Sequence, residues 1–151
     1  MPIQAHMTLG LAVGLQDDGA GTLMPALVGI GWTVREPTPE PMAVSAIIYV
    51  PRNEAGPHNW RLELTYVGGE PVTLDAAVPG VPENFVYEST EDMVGLDDPA
   101  LTTPLTMGFA VGLPPFPLPE GREYLWRLTV DGETRDEWVL PFRTTPPAPL
   151  A

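Results

Sequence analysis

Prolines and glycines interrupt this sequence so often that they leave little room for a helix. The chain has 20 prolines and 15 glycines among its 151 residues. No apolar pattern between them continues at helical period for the roughly ten or more residues that a helix needs. The spacing therefore predicts an all-β fold.

A short phrase occurs twice and divides the chain into related parts. Trp-Arg-Leu at residues 60–62 returns at residues 126–128, and each copy runs into a glycine turn. Each copy is also preceded by an apolar run, at 41–50 and at 104–113. The likeness predicts two related three-strand units, each ending in a hairpin.

The side-chain pattern of each hairpin predicts a register. In the first copy, a three-residue loop at 68–70 pairs Tyr66 with Val72 and leaves one face wholly apolar, which a two-residue loop does not. In the second copy, a two-residue loop buries Glu137 beside Trp126. Burying an unpaired carboxylate costs several kcal/mol, so we predict a three-residue loop at 131–133 that opposes Trp126 to Trp138.

Other apolar alternations predict further strands, at residues 6–15, 23–34 and 42–50. The third of these has apolar residues on both faces, which indicates a central or covered strand. The acidic connection at 79–103 leaves room for one more strand near residues 85–87.

About eight strands at this spacing predict two packed antiparallel sheets. The predicted fold is an all-β sandwich of immunoglobulin-like or C2-like form, and a closed β-barrel is the alternative. We expect a single domain over residues 1–143 and a proline-rich, poorly ordered tail over 144–151.

Charge and composition exclude several classes of function. Twenty acidic residues face seven arginines, for a net charge of −13, so nucleic acids and anionic membranes are disfavoured partners. The chain has no cysteine, which removes disulfides, thiolate zinc sites and cysteine catalysis. The first residues fit neither a signal peptide nor a membrane span, and we expect a cytoplasmic protein.

Several segments together resemble a known group of sequences. They lie at residues 29–32, 41–51, 54–55, 58, 61–64, 118–121, 124–128, 131–134 and 138–142. These segments resemble an uncharacterised family of short acidic bacterial proteins, frequent in actinobacteria, that is carried as a domain of unknown function. The resemblance implies a single β-sandwich domain and no particular reaction, cofactor or ligand.

Candidate reactive groups are few. Ser45 and Ser89 have no base placed beside them by the sequence, and His6 and His58 are too far apart to indicate a zinc site, so we expect no enzyme and no cofactor. Adjacent carboxylates could gather around calcium at one end of a sandwich, although solvated turns are the simpler interpretation. These weak calcium candidates are Asp17, Asp18, Asp92, Asp97 and Asp98.

Apolar residues within the acidic connection are better candidates for contact with a partner. They are Met93, Val94, Leu96 and Leu101, and charged neighbours of this kind often border a small docking patch. The four tryptophans, by contrast, are expected in the core.

The sequence therefore favours a noncatalytic protein that acts through protein contacts, as a homo-oligomer or as an accessory subunit of a larger assembly. A phage component is one concrete version. A small-molecule or calcium-binding module and a carboxylate-dependent enzyme are the alternatives.

Overall fold

The structure is a computed structural model that describes residues 2–17, 19, 23–28, 30, 34–35, 40–74, 76–94 and 100–146, with side chains described outside 12–17, 23–28 and 83. Its strands are β1 (Gln4–Gly10), β2 (Ala12–Asp17), β3 (Leu23–Val28), β4 (Val34–Arg35), β5 (Glu40–Val50), β6 (Gly56–Tyr66), β7 (Val86–Met93), β8 (Leu105–Phe116), β9 (Glu123–Val130) and β10 (Val139–Thr144). Single 3₁₀ turns lie at Arg52–Glu54 and Glu83–Phe85. Over these residues, no helix has the length and apolar character to cross a membrane.

The strands form two open sheets that enclose one core. The smaller sheet has the order β1-β5-β8 and the larger sheet the order β4-β10-β9-β6-β7, while β2 and β3 form a separate ribbon. Pairing is antiparallel except between β4 and β10. The predicted all-β, two-sheet architecture is confirmed, and the described strands do not close into a barrel because both sheet orders end in unpaired edges.

The two copies of the repeat lie side by side and pair with each other. β6 pairs with β9 so that Leu62, the third residue of one Trp-Arg-Leu, lies opposite Leu128, the third residue of the other. Their preceding strands, β5 and β8, pair in the same antiparallel sense around Ala46 and Phe109. A local two-fold axis therefore relates the unit β5-β6-β7 to the unit β8-β9-β10.

The inner face of β5 is the best buried part of the smaller sheet. Its alternate side chains are at most 1% exposed, as the sequence predicted: Met42, Val44, Ala46, Ile48 and Val50. β5 is central, between β1 and β8, and its other face is covered unevenly, because Ala43 is fully buried whereas Ile47 is 41% exposed.

Tryptophans join the two sheets across this core. The Trp60 ring stacks on Phe109 of the smaller sheet with 3.8 Å between centroids. Trp126 Nε1 donates to Met42 Sδ at 3.2 Å, and Trp138 is also buried. The predicted core role of these three tryptophans is confirmed, and Trp32 lies outside the described residues.

The predicted hairpin of the first copy is wrong. Tyr66 N donates to Glu70 O at 2.9 Å and Thr65 bridges Pro71, so the loop is 67–69, and no strand pairing continues over the described part of 72–78. A strand has only two edges, and those of β6 are taken by β7 and β9. The chain leaves the sheet at Pro71, which has no backbone N–H to donate, and buries Val72 completely.

The predicted loop of the second copy is also wrong. Asp131 and Gly132 both have positive φ, 52° and 79°, which is the pattern of a two-residue type I′ turn. Further along, Trp138 N donates to Arg135 O at 3.0 Å. This second turn inserts extra residues, so that Glu137 stays exposed, Trp138 is buried and Leu140 opposes Trp126.

Three other predicted boundaries shift. The strand expected at 6–15 breaks at Leu11 into β1 and β2, which belong to different sheets, and the short strand expected near 85–87 is the longer β7. At the other end, β10 continues through Thr144, and Thr145 N donates to Arg35 O at 2.9 Å. The sheet thus extends past residue 143, where we expected the tail to begin.

Arg35 links the two sheets at one end of the sandwich. Its side chain is 3% exposed, and Nη2 donates to Glu40 O at 2.8 Å and to Phe116 O at 2.5 Å, both in the smaller sheet. The guanidinium lies 4.7 Å from the Phe116 ring centroid. Burial lowers the pKa of this guanidinium, and its Nε and Nη1 have no partner among the described residues.

We expect Arg35→Ala to lower the free energy of unfolding by about 2–4 kcal/mol, because two buried carbonyl oxygens lose a charged donor. Arg35→Met is the matched control that restores volume without hydrogen bonds. Urea unfolding measures both. Equal stability of Arg35→Met and wild type would show that packing alone, and not the hydrogen bonds, accounts for the effect.

Candidate functional site

The interaction residues predicted from the acidic connection are not equivalent in the structure. Met93 closes β7 and is 6% exposed, so it is a core residue rather than a contact residue. Val94, its neighbour, is 76% exposed. Leu101 is half-buried, and Leu96 lies outside the described residues.

The calcium candidates are only partly described. Asp17 ends β2 and Asp92 is exposed on β7, while the other three candidates fall outside the description. Within the part of the chain that the structure describes, no three His, Asp or Glu side chains meet at a metal-binding spacing. The calcium site therefore stays a prediction.

His58 and Asp131 form a bridge between the two repeat units. The left-handed turn of the second unit places Asp131 over the start of β6, where its Oδ1 accepts from Asn59 N at 2.9 Å. Its Oδ2 lies 2.5 Å from His58 Nδ1, and His58 Nε2 lies 2.6 Å from Glu54 O. Asp131 N also donates to Asn59 O at 2.9 Å.

Both nitrogens of His58 face acceptors, and this arrangement suits the charged imidazolium, in which both carry a proton. The pKa of His58 is raised, first by the Glu54 carbonyl and then by Asp131, against a lowering effect of burial. Because each nitrogen is already occupied, neither is placed to take a proton from a substrate. His58 is therefore best understood as a clamp between the units.

A groove of about 850 Å³ lies at the end of the larger sheet, where β6 and β10 end and β9 begins. We call it the arginine groove; it is lined by residues 66–68, 121–123 and 143–146. The Arg122 guanidinium lies over the Tyr66 ring, 4.0 Å from its centroid. Arg143 lines the same groove, so two cationic side chains share it.

Hydrogen bonds fix the backbone beneath Arg122. Arg122 N donates to Thr144 Oγ1 at 3.1 Å, and Thr144 Oγ1 donates in turn to Pro119 O at 2.7 Å. Tyr124 OH donates to the same carbonyl at 2.8 Å, and burial raises the pKa of Tyr124 to about 12. The backbone around Pro119 and Arg122 is thus held by neutral hydroxyl groups at physiological pH values.

The charge of the arginine groove is opposite to that of the protein. Ion pairs within 4.0 Å join His58 to Asp131 and Arg61 to Glu63, and no ion pair between described residues includes Arg122 or Arg143. Arg122 and Arg143 therefore carry no carboxylate partner there, and Glu123 is the carboxylate among the groove-lining residues. The groove is a local positive spot on a chain of net charge −13.

An apolar shelf adjoins the groove. It is formed by Val34, Val67 and Pro141 and borders a shallow hollow of about 510 Å³ that shares Val67, Glu123 and Arg143 with the groove. Val34 is 45% exposed and Val67 is 51% exposed. We call this the valine shelf.

Strand pairing explains why shelf and groove meet. Arg143 of β10 lies opposite Val34 of β4 on one side and opposite Glu123 of β9 on the other. Val67 follows β6 and donates its N–H to Glu123 O at 3.1 Å. Directly paired residues point to the same face of a sheet, so these side chains form one row.

Comparison with protein-family models and with curated proteins finds no match. The resemblance to an uncharacterised bacterial family therefore stays a prediction.

We expect the His58 clamp to make stability depend on pH. Because the pKa of His58 is raised in the folded state, the clamp stabilises the fold fully at pH values below the unfolded-state pKa, near 6.5. This stabilisation is lost as the pH rises through the folded-state pKa. His58→Ala should therefore cost about 1 kcal/mol near pH 5.5 and clearly less near pH 9.

Asp131→Asn is the matched variant, because asparagine also tolerates positive φ and can accept from Asn59 N. Urea unfolding at both pH values measures all three proteins. An equal cost of His58→Ala at the two pH values would contradict a charged clamp. Asp131→Asn should reduce the pH dependence in part, because the Glu54 carbonyl remains, and an undiminished pH dependence would show that Asp131 does not stabilise the charged form of His58.

Proposed function

We propose that this chain is a noncatalytic, cytoplasmic β-sandwich that acts through protein contacts, as a homo-oligomer or as an accessory subunit of a larger assembly. A component of a phage particle is one such assembly. The observation that supports this most is the continuous surface formed by the arginine groove and the valine shelf. The finer classification of the sandwich as immunoglobulin-like or C2-like belongs to the same proposal.

The composition of this surface is that of protein interfaces. Their buried centres are enriched in tyrosine, arginine and apolar side chains, and a few such residues carry most of the binding energy. Here the stacked Tyr66 and Arg122 line the groove together with Val67, and Val67 lines the adjoining hollow with Val34. Both valines are about half exposed. Apolar side chains that stay this exposed beside a groove are well placed to be covered by a partner.

The edges of the larger sheet favour contact through its surface rather than by addition of a strand. The outer edge strand β7 carries Glu88, Glu91 and Asp92, and charged edge strands resist pairing with other chains. At the opposite edge, β4 is only two residues long. A partner therefore gains more from the face beside β10 than from either edge.

The side chains that could act as a base or a nucleophile take part in structural hydrogen bonds or lie within a paired strand. This supports a noncatalytic role. Both ring nitrogens of His58 are engaged in the clamp. Ser89 lies in β7, where its Oγ donates to Glu91 Oε1 at 3.4 Å. Ser45 lies in the middle of β5, opposite Thr8 and Ala110.

We expect Val67→Asp to weaken the functional contact at least about tenfold, because a carboxylate on the valine shelf must be desolvated when the partner binds. Val94→Asp is the matched control, since it makes the same change at an exposed valine beyond the other edge of the sheet. Sedimentation velocity over a range of concentrations measures self-association. For another partner, a photo-crosslinking residue at position 67 captures it in native cells, and the purified pair is then titrated.

A protein that is strictly monomeric and yields no crosslinked partner from position 67 would refute the proposal. If Val94→Asp weakens binding and Val67→Asp does not, the contact lies at the acidic connection instead. Thermal melting of both variants confirms that they remain folded.

A further inference from the structure

We infer that the arginine groove and the valine shelf bind a segment of another protein that presents one isolated carboxylate beside an apolar side chain. This inference rests on the proposed function, because it names the partner chemistry of the same surface. It follows from the orientation of Arg122, the local charge of the groove and the position of the shelf.

Arg122 is arranged in advance to receive a carboxylate. Its guanidinium face rests on the Tyr66 ring at 4.0 Å, and its backbone is held by Thr144. Stacking occupies the face of a guanidinium and leaves the N–H groups at its edge available. Two parallel N–H groups at that edge match the two oxygens of a carboxylate, and the side-chain entropy lost on binding is partly lost already.

The charge balance of the groove favours one carboxylate over several. Among the described residues that line the groove, Arg122 and Arg143 supply two positive charges, and Glu123, which lies opposite Arg143 in the β9–β10 pairing, supplies one negative charge. One incoming carboxylate therefore neutralises the groove. A second would meet Glu123 and the field of a chain with net charge −13, and like charges repel over about 10 Å at moderate salt.

The valine shelf determines which kind of side chain is favoured next to that carboxylate in the bound segment. Val34 lies directly across from Arg143 in the β4–β10 pairing, and neighbouring strands are about 4.8 Å apart. An extended segment places alternate side chains on one face about 7 Å apart. A carboxylate on Arg143 therefore brings the next side chain on that face over Val34 or Val67, where an apolar group is favoured. Val67 also lines the groove together with Arg122.

The net charge of the chain and the grouping of its exposed carboxylates argue against a second copy of this chain as the occupant of the groove. Two copies repel each other through their net charge. The exposed acidic edge strand β7 also presents three carboxylates within five residues, with Glu88 three positions before the adjacent Glu91 and Asp92, rather than one isolated carboxylate. We therefore assign the groove to a different protein.

Labelled peptides test the inference with the full chain. The probe is a fluorescent peptide of about nine residues, of serine and glycine, with one Glu flanked at alternate positions by Leu. Fluorescence anisotropy should show saturable binding that falls at least about tenfold when Glu becomes Gln or when Arg122→Ala is used. Arg61→Ala is the matched control, since Arg61 is already paired with Glu63, and it should change affinity less than about twofold.

The results that would contradict the inference can be distinguished from one another. Equal binding of the Gln peptide, or tighter binding of a peptide with four Glu, overturns the single-carboxylate inference. If Val67→Asp disrupts the native contact while Arg122→Ala has no effect on either readout, the proposed function survives and this inference fails. Self-association that depends on Arg122 overturns the assignment to a different protein.

Discussion

The pairing of β6 with β9 is the constraint on which the rest of the structure depends. Leu62 faces its own counterpart Leu128 across this pair, so each copy of the repeat supplies one half of the centre of the larger sheet. Because a strand has two edges, each of these strands accepts one further neighbour, β7 for β6 and β10 for β9. The same pairing sets Tyr66 opposite Tyr124 and so brings the turn after β6 next to Arg122. The arginine groove is thus a product of the repeat, although neither copy contains it.

The alternation of apolar and polar side chains predicted part of the fold correctly. Which strands pair with each other could not be predicted from that alternation. Alternation along β5 identified its buried face correctly, since burial in a strand follows a period of two residues. The hairpin after Tyr66 failed because the alternation at 72–78 is as suitable for pairing as that of β7, and a sequence does not show which segment occupies the edge. Glu137 is exposed as expected, but through an extra turn rather than a longer loop. The arginine groove was missed for the same reason: Arg143 and Val34 become neighbours only through pairing.

Polar side chains tie the sandwich together in two contrasting ways. Arg35 is buried and donates to carbonyl groups of the opposite sheet, so its contribution is insensitive to salt and to pH near neutrality. His58 is near the surface, titrates, and holds a turn of one unit against a strand of the other. Arg61 is paired with Glu63 and Arg135 lies over Trp138. Arg122 is exposed and is stacked on Tyr66, and it is unpaired with any carboxylate among the described residues.

The pairing of the two copies also sets the order in which the chain can fold. Roughly 65 residues separate Leu62 from its partner, and contacts this distant in sequence form slowly because a long loop must close first. During synthesis, β6 emerges well before β9 and has no central neighbour until residue 130 has left the ribosome. β7 is synthesised earlier and can cover one edge of β6, while the other edge stays open until β9 is made. Arg61 and Glu63 interrupt the apolar residues of β6, and charges within an apolar strand oppose aggregation. The two charges of this repeat therefore suit β6 while its central edge is open during synthesis, and they form an ion pair with each other in the finished sheet.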